Sequence, residues 1–449
     1  MLKIRDTKIL LTLALPLIAS GLVESSVGFS STLFLSHLGP ELLAAGSLVA
    51  WFYATVLIIF WGVFSSVSVL VANFRGANNH DGIAKVIRDA FWTAIALTLP
   101  ISIMIWNMAP ILHHVLGQRE NLVLLAVPYL HALAWSMLPD FTGILLMQIV
   151  IGLGHVRTNL IFSLTWVILN ITADYVFIFG HLGFPAFGIA GLGWGTTFSF
   201  WVTTIAWFIY MFARKIYRPY FSQLFRFRLP FYYWKILKIG LPMGLMWCVE
   251  VTFFFVMSLL IGHMSVTALA ASQIGMQYTS LFVSILFAIS QAISVRVSHL
   301  IGSQKTDAIH NTLESGLLIS LCIIAALVLA AWINPMFFIE ADFNPYAYKA
   351  LTVVLYAKQF LRIGLTFLLL ESVRITLFGA LRGMQDTRSP LLSSLIGFWL
   401  IAIPLGYFLA YFLNYGAIGF WLGLYGCGLF GSAFLWQRYK VRYQALLAK

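Results

Sequence analysis

The chain has 449 residues, of which 61% are hydrophobic and only 9% charged, with a mean hydropathy of +0.92 and a net charge of +12. Soluble domains carry about a quarter charged residues, and no soluble core hides this much apolar surface. A soluble enzyme, a nucleic-acid module, a coiled coil and a disordered chain are excluded, which leaves an all-α polytopic membrane protein.

The basic start (Lys3, Arg5, Lys8) precedes an apolar run that continues past Leu33 without a small-residue cleavage motif. This predicts a first membrane helix rather than a removed signal peptide. A helix needs about 20 apolar residues to cross the hydrocarbon core. That ruler predicts twelve spans, roughly 9–35, 43–72, 90–112, 122–151, 160–180, 188–212, 236–262, 269–300, 312–338, 349–380, 391–413 and 416–437. Short breaks separate them, among them Gly39-Pro40, Gly76-Ala77-Asn78-Asn79, Gly117-Gln118, Gly154-His155 and Asn334-Pro335. Cys248, Cys322 and Cys427 lie far apart inside apolar runs, in neither a disulfide nor a zinc pattern.

Lysine and arginine set the orientation of such a chain. Counting the N-terminus, the even-to-odd loops and the C-terminus, 22 of the 27 basic residues fall on one side, seven of them between the sixth and seventh spans. Arg226, Arg228 and Lys449 are in that count, and Lys349 is on the opposite side. Both termini are therefore expected in the cytoplasm, and the positive net charge reads as a topology signal. Residues 1–212 are expected to form an N-lobe of six helices, 213–238 a cytoplasmic linker and 239–449 a C-lobe.

The halves repeat. At an offset of 226, Leu15-Pro16 matches Leu241-Pro242, Glu24 matches Glu250, His37 matches His263, and Ser68-Val69 matches Ser294-Val295. At an offset of 231, Gly152 and Arg157-Thr158 match Gly383 and Arg388-Ser389, and Asp140 falls on Glu371. Six helices per half give both halves the same entry side, as in parallel-repeat transporters with a cleft near the midplane. A duplication kept for packing alone would leave the same trace.

Five acids sit well inside the apolar runs: Glu24, Asp140, Asp174, Glu250 and Glu371. A carboxylate at the bilayer centre costs about 2.5–3.5 kcal/mol on insertion scales, so such residues mark ion or substrate paths. The alternative is a set of structural hydrogen bonds to neighbouring helices. Phe367 and Glu371 are four apart on one helical face, and a ring beside a carboxylate can hold a cation. Arg374 is a candidate counter-ion, pairing either with Glu371 three residues before it or with Asp140 of the other half.

Several stretches together resemble the multidrug and toxic compound extrusion (MATE) transporters, in their NorM-like branch. They are Gly240-Leu241-Pro242 with Glu250, Gln273 and Ser294-Val295-Arg296, then Glu371 with Gly379 through Arg388, and Asn170-Ile171-Thr172-Ala173-Asp174-Tyr175. The resemblance covers essentially the whole chain. It implies twelve helices in two pseudo-symmetric six-helix bundles and export of amphipathic or cationic drugs in exchange for H⁺ or Na⁺. The implied cation-coupling residues are Glu250, Glu371 and Phe367, with no resident metal or cofactor beyond a transported Na⁺. Many relatives carry an aspartate where this chain has Ser31, and Glu24, two turns earlier on the same face, is the candidate substitute. A second, N-lobe cation or proton site is expected from Glu24, Ser31, Asp140, Asn170 and Asp174, and a substrate cleft near Gln273 and Tyr278. The expected setting is a bacterial inner membrane, with no nucleic acid and no obligatory protein partner. A lipid-linked saccharide flippase of the same superfamily is the nearer rival, although its cleft would be basic. A membrane-embedded enzyme is disfavoured, because no Gly-x-Gly-Asp, His-Glu-x-x-His or phosphate-cradling motif is present.

Overall fold

Lipid offers no partner to backbone N–H and C=O groups, so each span must close its hydrogen bonds within itself. The computed structural model describes residues 2–221, 223–224, 231–342 and 350–448, and these contain helices and no strand. Arg226, Arg228, Lys349 and Lys449, used above for the topology, lie outside the described residues. In chain order the helices of the first half are α1 (Leu2–Leu38), α2 (Pro40–Gly76), α3 (His80–Trp106), α4 (Glu120–Ala134), α5 (Met137–Gly152), α6 (Val156–Phe179), α7 (Ile189–Ala213) and α8 (Arg218–Phe221). They continue with α9 (Tyr233–Met264), α10 (Val266–Gly302), α11 (Ala308–Ile333), α12 (Pro335–Asp342), α13 (Ala350–Gly383), α14 (Arg388–Ser394), α15 (Ile403–Tyr407) and α16 (Ala417–Leu447). Wider π-helical turns cover Ile111–Val115, Leu395–Ala402 and Phe408–Phe412.

Among the described residues eleven helical stretches are long and apolar enough to cross a membrane, and α4 with α5, taken as one span bent by 51°, makes a twelfth. The expected fourth span, 122–151, is therefore broken, and Pro139 gives the reason. It has no N–H for the Trp135 carbonyl one turn back, and that carbonyl instead accepts from Trp201 Nε1 at 3.2 Å. The expected ninth span, 312–338, also stops short: α11 ends at Ile333, and Pro335 opens the separate α12.

The chain packs into two compact units, one of Ala19–Leu241 and one of Met1–Ile18 with Pro242–Lys449. Helices α1 and α9 each change unit partway, next to the repeat-related Pro16 and Pro242. The start of α1 is held in the second unit by Arg296 Nη2 donating to Asp6 Oδ1 (3.1 Å) and Thr7 Oγ1 donating to Ser315 Oγ (3.1 Å). The start of α9 is held in the first unit by Asp89 Oδ2, which accepts the backbone N–H groups of Phe231 and Tyr232 at 2.8 Å each. Ile236 and Ile239 bury their side chains in the same apolar core.

Helices in lipid associate through close packing over small residues, and one such contact occurs in both halves. A Cβ on Gly152 of α5 would stand 2.8 Å from the Ser68 carbonyl oxygen of α2. A Cβ on Gly383 of α13 would stand 2.7 Å from the Ser294 carbonyl oxygen of α10. Immediately after each close approach the halves differ. His155 shares a 2.8 Å hydrogen bond with the Tyr217 hydroxyl, whereas Asp386, at the matching position, accepts from Arg438 Nε and Arg442 Nε at 2.8 Å each. Burial pushes the Asp386 carboxyl up, but the bonds from Arg442 and Arg438 outweigh it and hold the group below the usual carboxylate range.

Candidate functional site

In the second unit three charges converge inside the apolar spans. Glu250 comes from α9, and Glu371 and Arg374 lie three residues apart on one face of α13. Arg374 Nε donates to both carboxyl oxygens of Glu371 at 3.0 Å, and its Nη2 also bonds Glu371. The same Nη2 donates to Glu250 Oε1 at 2.9 Å, and Nη1 donates to Ser394 Oγ at 2.9 Å. The hydroxyl of Ser394, the last residue of α14, donates a hydrogen bond to Glu250 Oε1 at 2.7 Å. The guanidinium carbon stands 5.3 Å from the centre of the Phe398 ring, in the π-helical turn that follows.

Burial of the trio is nearly complete, with Arg374 at 2%, Glu371 at 3% and Glu250 at 9% exposure. A buried ion pair is sustained only when its remaining donors and acceptors are also bonded, and here the fork geometry of arginine meets that demand. Space for the long side chain is left by Gly431 of α16, where a Cβ would stand 2.8 Å from Arg374 Cδ. Two carboxyl groups face one guanidinium, so the cluster carries one negative charge in excess when both are ionised and none when one is protonated. Of the two partners open to Arg374 from sequence, the first holds, and Glu250 joins it. Phe367 is instead buried in the apolar core, edge-on to Tyr425 at 6.5 Å, and Phe398 is the ring beside the charges.

The first unit keeps its acids apart. Glu24 Oε1 accepts from Ser163 Oγ at 2.6 Å, and beside it Asn159 Nδ2 donates to Ser20 Oγ at 3.3 Å. Asp140 Oδ2 accepts from the Tyr53 hydroxyl at 2.8 Å. Asp174 is fully buried next to Thr196, and neither of its carboxyl oxygens has a hydrogen bond of good geometry. Asn170 lies one turn earlier and donates to Ser199 Oγ at 3.0 Å, while its own carbonyl oxygen is buried without a hydrogen bond. Asn170, Asp174, Thr196 and Ser199 thus gather between α6 and α7 as oxygen donors of the kind a hard cation takes. Ser31 shares no hydrogen bond with any of the acids. Gln273 is exposed on α10, and the Tyr278 hydroxyl donates to the Phe338 carbonyl at 2.6 Å.

Reading the residues in sequence missed Ser163, Ser394, Tyr53 and Phe398. A signal existed for the first two: Ser163 and Ser394 are 231 apart, the register that relates Asp140 to Glu371. Continuing that register would have paired each repeat-related glutamate with a repeat-related serine.

Comparison with known proteins agrees with the fold. The MatE family profile matches residues 16–176 and 242–408. A probable multidrug resistance protein NorM of Synechococcus sp. is 32% identical over 433 residues, covering 96% of this chain and 92% of that protein. The multidrug resistance protein NorM of Burkholderia vietnamiensis is 31% identical over 440 residues, covering 97% and 94%. Among solved structures, a MATE crystallised in its straight conformation superposes with a TM-score of 0.88 at 19% identity, covering 99% of this chain and 97% of that one. The profile matches most of the chain, and relatives and fold match nearly all of it: this multi-pass membrane protein belongs to the MatE family.

Proposed function

We propose that the protein is a multidrug antiporter of a bacterial inner membrane, exporting amphipathic and cationic small molecules by alternating access in exchange for H⁺ or Na⁺. The observation that carries this reading is the cluster of Glu250, Glu371 and Arg374, buried in apolar spans with one negative charge in excess when both acids are ionised. Excess charge at that depth is costly, and such residues face a path along which an ion or charged substrate moves. The NorM relatives support the multidrug assignment through their names. The acids favour a cationic cargo over the pyrophosphate of a lipid-linked saccharide. In this reading residues 1–212 and 239–449 are the two lobes, and 213–238 is a cytoplasmic linker on the same side as both termini. Glu250 and Glu371 couple ion to drug, and the oxygens of Asn170 and Asp174 form the second ion site.

The test is drug resistance in cells expressing Glu250→Gln. The variant is expected to reach the membrane in normal amount and to lose efflux. Resistance equal to that of the unaltered protein would overturn the coupling role.

A further inference from the structure

Every anionic oxygen of the second-unit cluster but one is already engaged. Both oxygens of Glu371 accept from Arg374, and Glu250 Oε1 accepts from Arg374 and from Ser394. The Ser394 hydroxyl is used twice, receiving Arg374 Nη1 and donating to Glu250. Only Glu250 Oε2 carries no hydrogen bond. A hard cation takes several oxygens at once and tolerates no fixed positive charge among them. Here a guanidinium lies between the two carboxylates, its central carbon over the Phe398 ring. The buried Cys427 thiol of α16 also lies near the trio and offers no hard oxygen donor, and Ser393 Oγ, buried beside Arg374 at Gly431 without a hydrogen bond, adds only one neutral oxygen.

The first half supplies an internal control. In the register that pairs Asp140 with Glu371 and Ser163 with Ser394, the residue opposite Arg374 is Gly143. The glutamate–serine bond is kept in both halves, at 2.6 Å for Glu24 and 2.7 Å for Glu250. The cation is present in only one of them.

We propose that Arg374 sets the ion selectivity of this half: its tethered guanidinium fills the seat between Glu250 and Glu371, so these two carboxylates take no Na⁺. The inference rests on the antiporter reading and deepens it. With both acids ionised one net negative charge remains, enough for a single proton or for the single charge of a monovalent organic cation, and any Na⁺ binding by the protein resides outside this cluster.

Radioactive Na⁺ binding to the purified full-length protein, with choline chloride as the ionic-strength control, tests this directly. The unaltered protein and Glu250→Gln are expected to bind Na⁺ equally. Arg374→Gln is expected to gain a Na⁺ site that disappears again in Glu250→Gln/Arg374→Gln, while Arg374→Lys, which keeps the charge, gains none. Loss of Na⁺ binding in Glu250→Gln alone would overturn the proposal, as would a folded Arg374→Gln with no added binding. If Arg374→Gln does not fold, the comparison of the unaltered protein with Glu250→Gln still decides. Drug efflux from proteoliposomes separates this from the parent reading. Failure under both a Na⁺ and a pH gradient removes the antiporter and leaves the binding result standing.

Discussion

The two halves of the chain hold acids at matching positions in different company. In the first, Glu24 and Asp140 each lean on a neutral hydroxyl, from Ser163 and Tyr53. In the second, the matching Glu250 and Glu371 are joined into one network by Arg374. Duplicated backbone with duplicated glycine contacts therefore supports two different electrostatic solutions. The charge difference comes from one position, glycine at 143 and arginine at 374. A helix face can preserve its packing while one side chain turns separate acids into an ion cluster.

The most severe way to break the comparison is Arg374→Ala, which leaves two carboxylates buried without a counter-charge. Removing one partner of a buried ion pair costs about 3–5 kcal/mol, so thermal unfolding of the purified protein should fall steeply. Ser163→Ala in the first half removes one hydrogen bond, worth about 1 kcal/mol, and equal losses for the two variants would refute the contrast. Next come Gly152→Ala and Gly383→Ala, each forcing a methyl against a carbonyl oxygen of the neighbouring helix. Overpacking of this kind costs about 1–3 kcal/mol, and the two variants should lose similar stability if the repeated contact is energetically equivalent.

A finer separation comes from pH at the matching positions 155 and 386. Burial, aided by the positive charge of Arg75, holds His155 below its ordinary value, and Asp386 is also held low. Both groups bind protons more readily unfolded, so each stabilises above its unfolded pKa and loses that contribution as pH falls. The expected melting curve declines in two windows, one from about pH 6.5 downward and one from about pH 4 downward. His155→Phe should flatten the first and Asp386→Asn the second; a variant that flattens neither would refute its assignment. The smallest effect is expected from Tyr53→Phe, which deletes the hydrogen bond to Asp140. Interhelical hydrogen bonds in membranes average about 0.6 kcal/mol, and a much larger loss in melting temperature would mean that Asp140 depends on Tyr53 as Glu371 depends on Arg374.

The spans were legible because lipid imposes a length and an apolar composition that few other environments demand. The fourth failed as one straight helix because a hydropathy ruler does not register the missing N–H of Pro139. Glu250, Glu371 and Arg374 were legible as expensive residues, yet which acid would hold the arginine depended on three helices meeting. Phe398 was invisible for a more local reason. It lies in the turn Leu395–Ala402, where π-helical winding breaks the 3.6-residue period that assigns residues to faces. The Tyr278 hydroxyl bonds a backbone carbonyl in α12, a contact that depends on side-chain direction and so leaves no trace in the residue pattern.

The exchange of helix beginnings between the units also bears on biosynthesis. Asp6 finds its partner in Arg296, 290 residues later in the chain. At roughly 5–20 residues per second of synthesis, the segment around Asp6 waits about 15–60 s for its seat. The unit that includes most of the first half is in turn incomplete until the start of α9 has been made. Neither half is a finished product of its own stretch of messenger, so separately expressed halves cut at residue 212 would each lack a piece that the other carries.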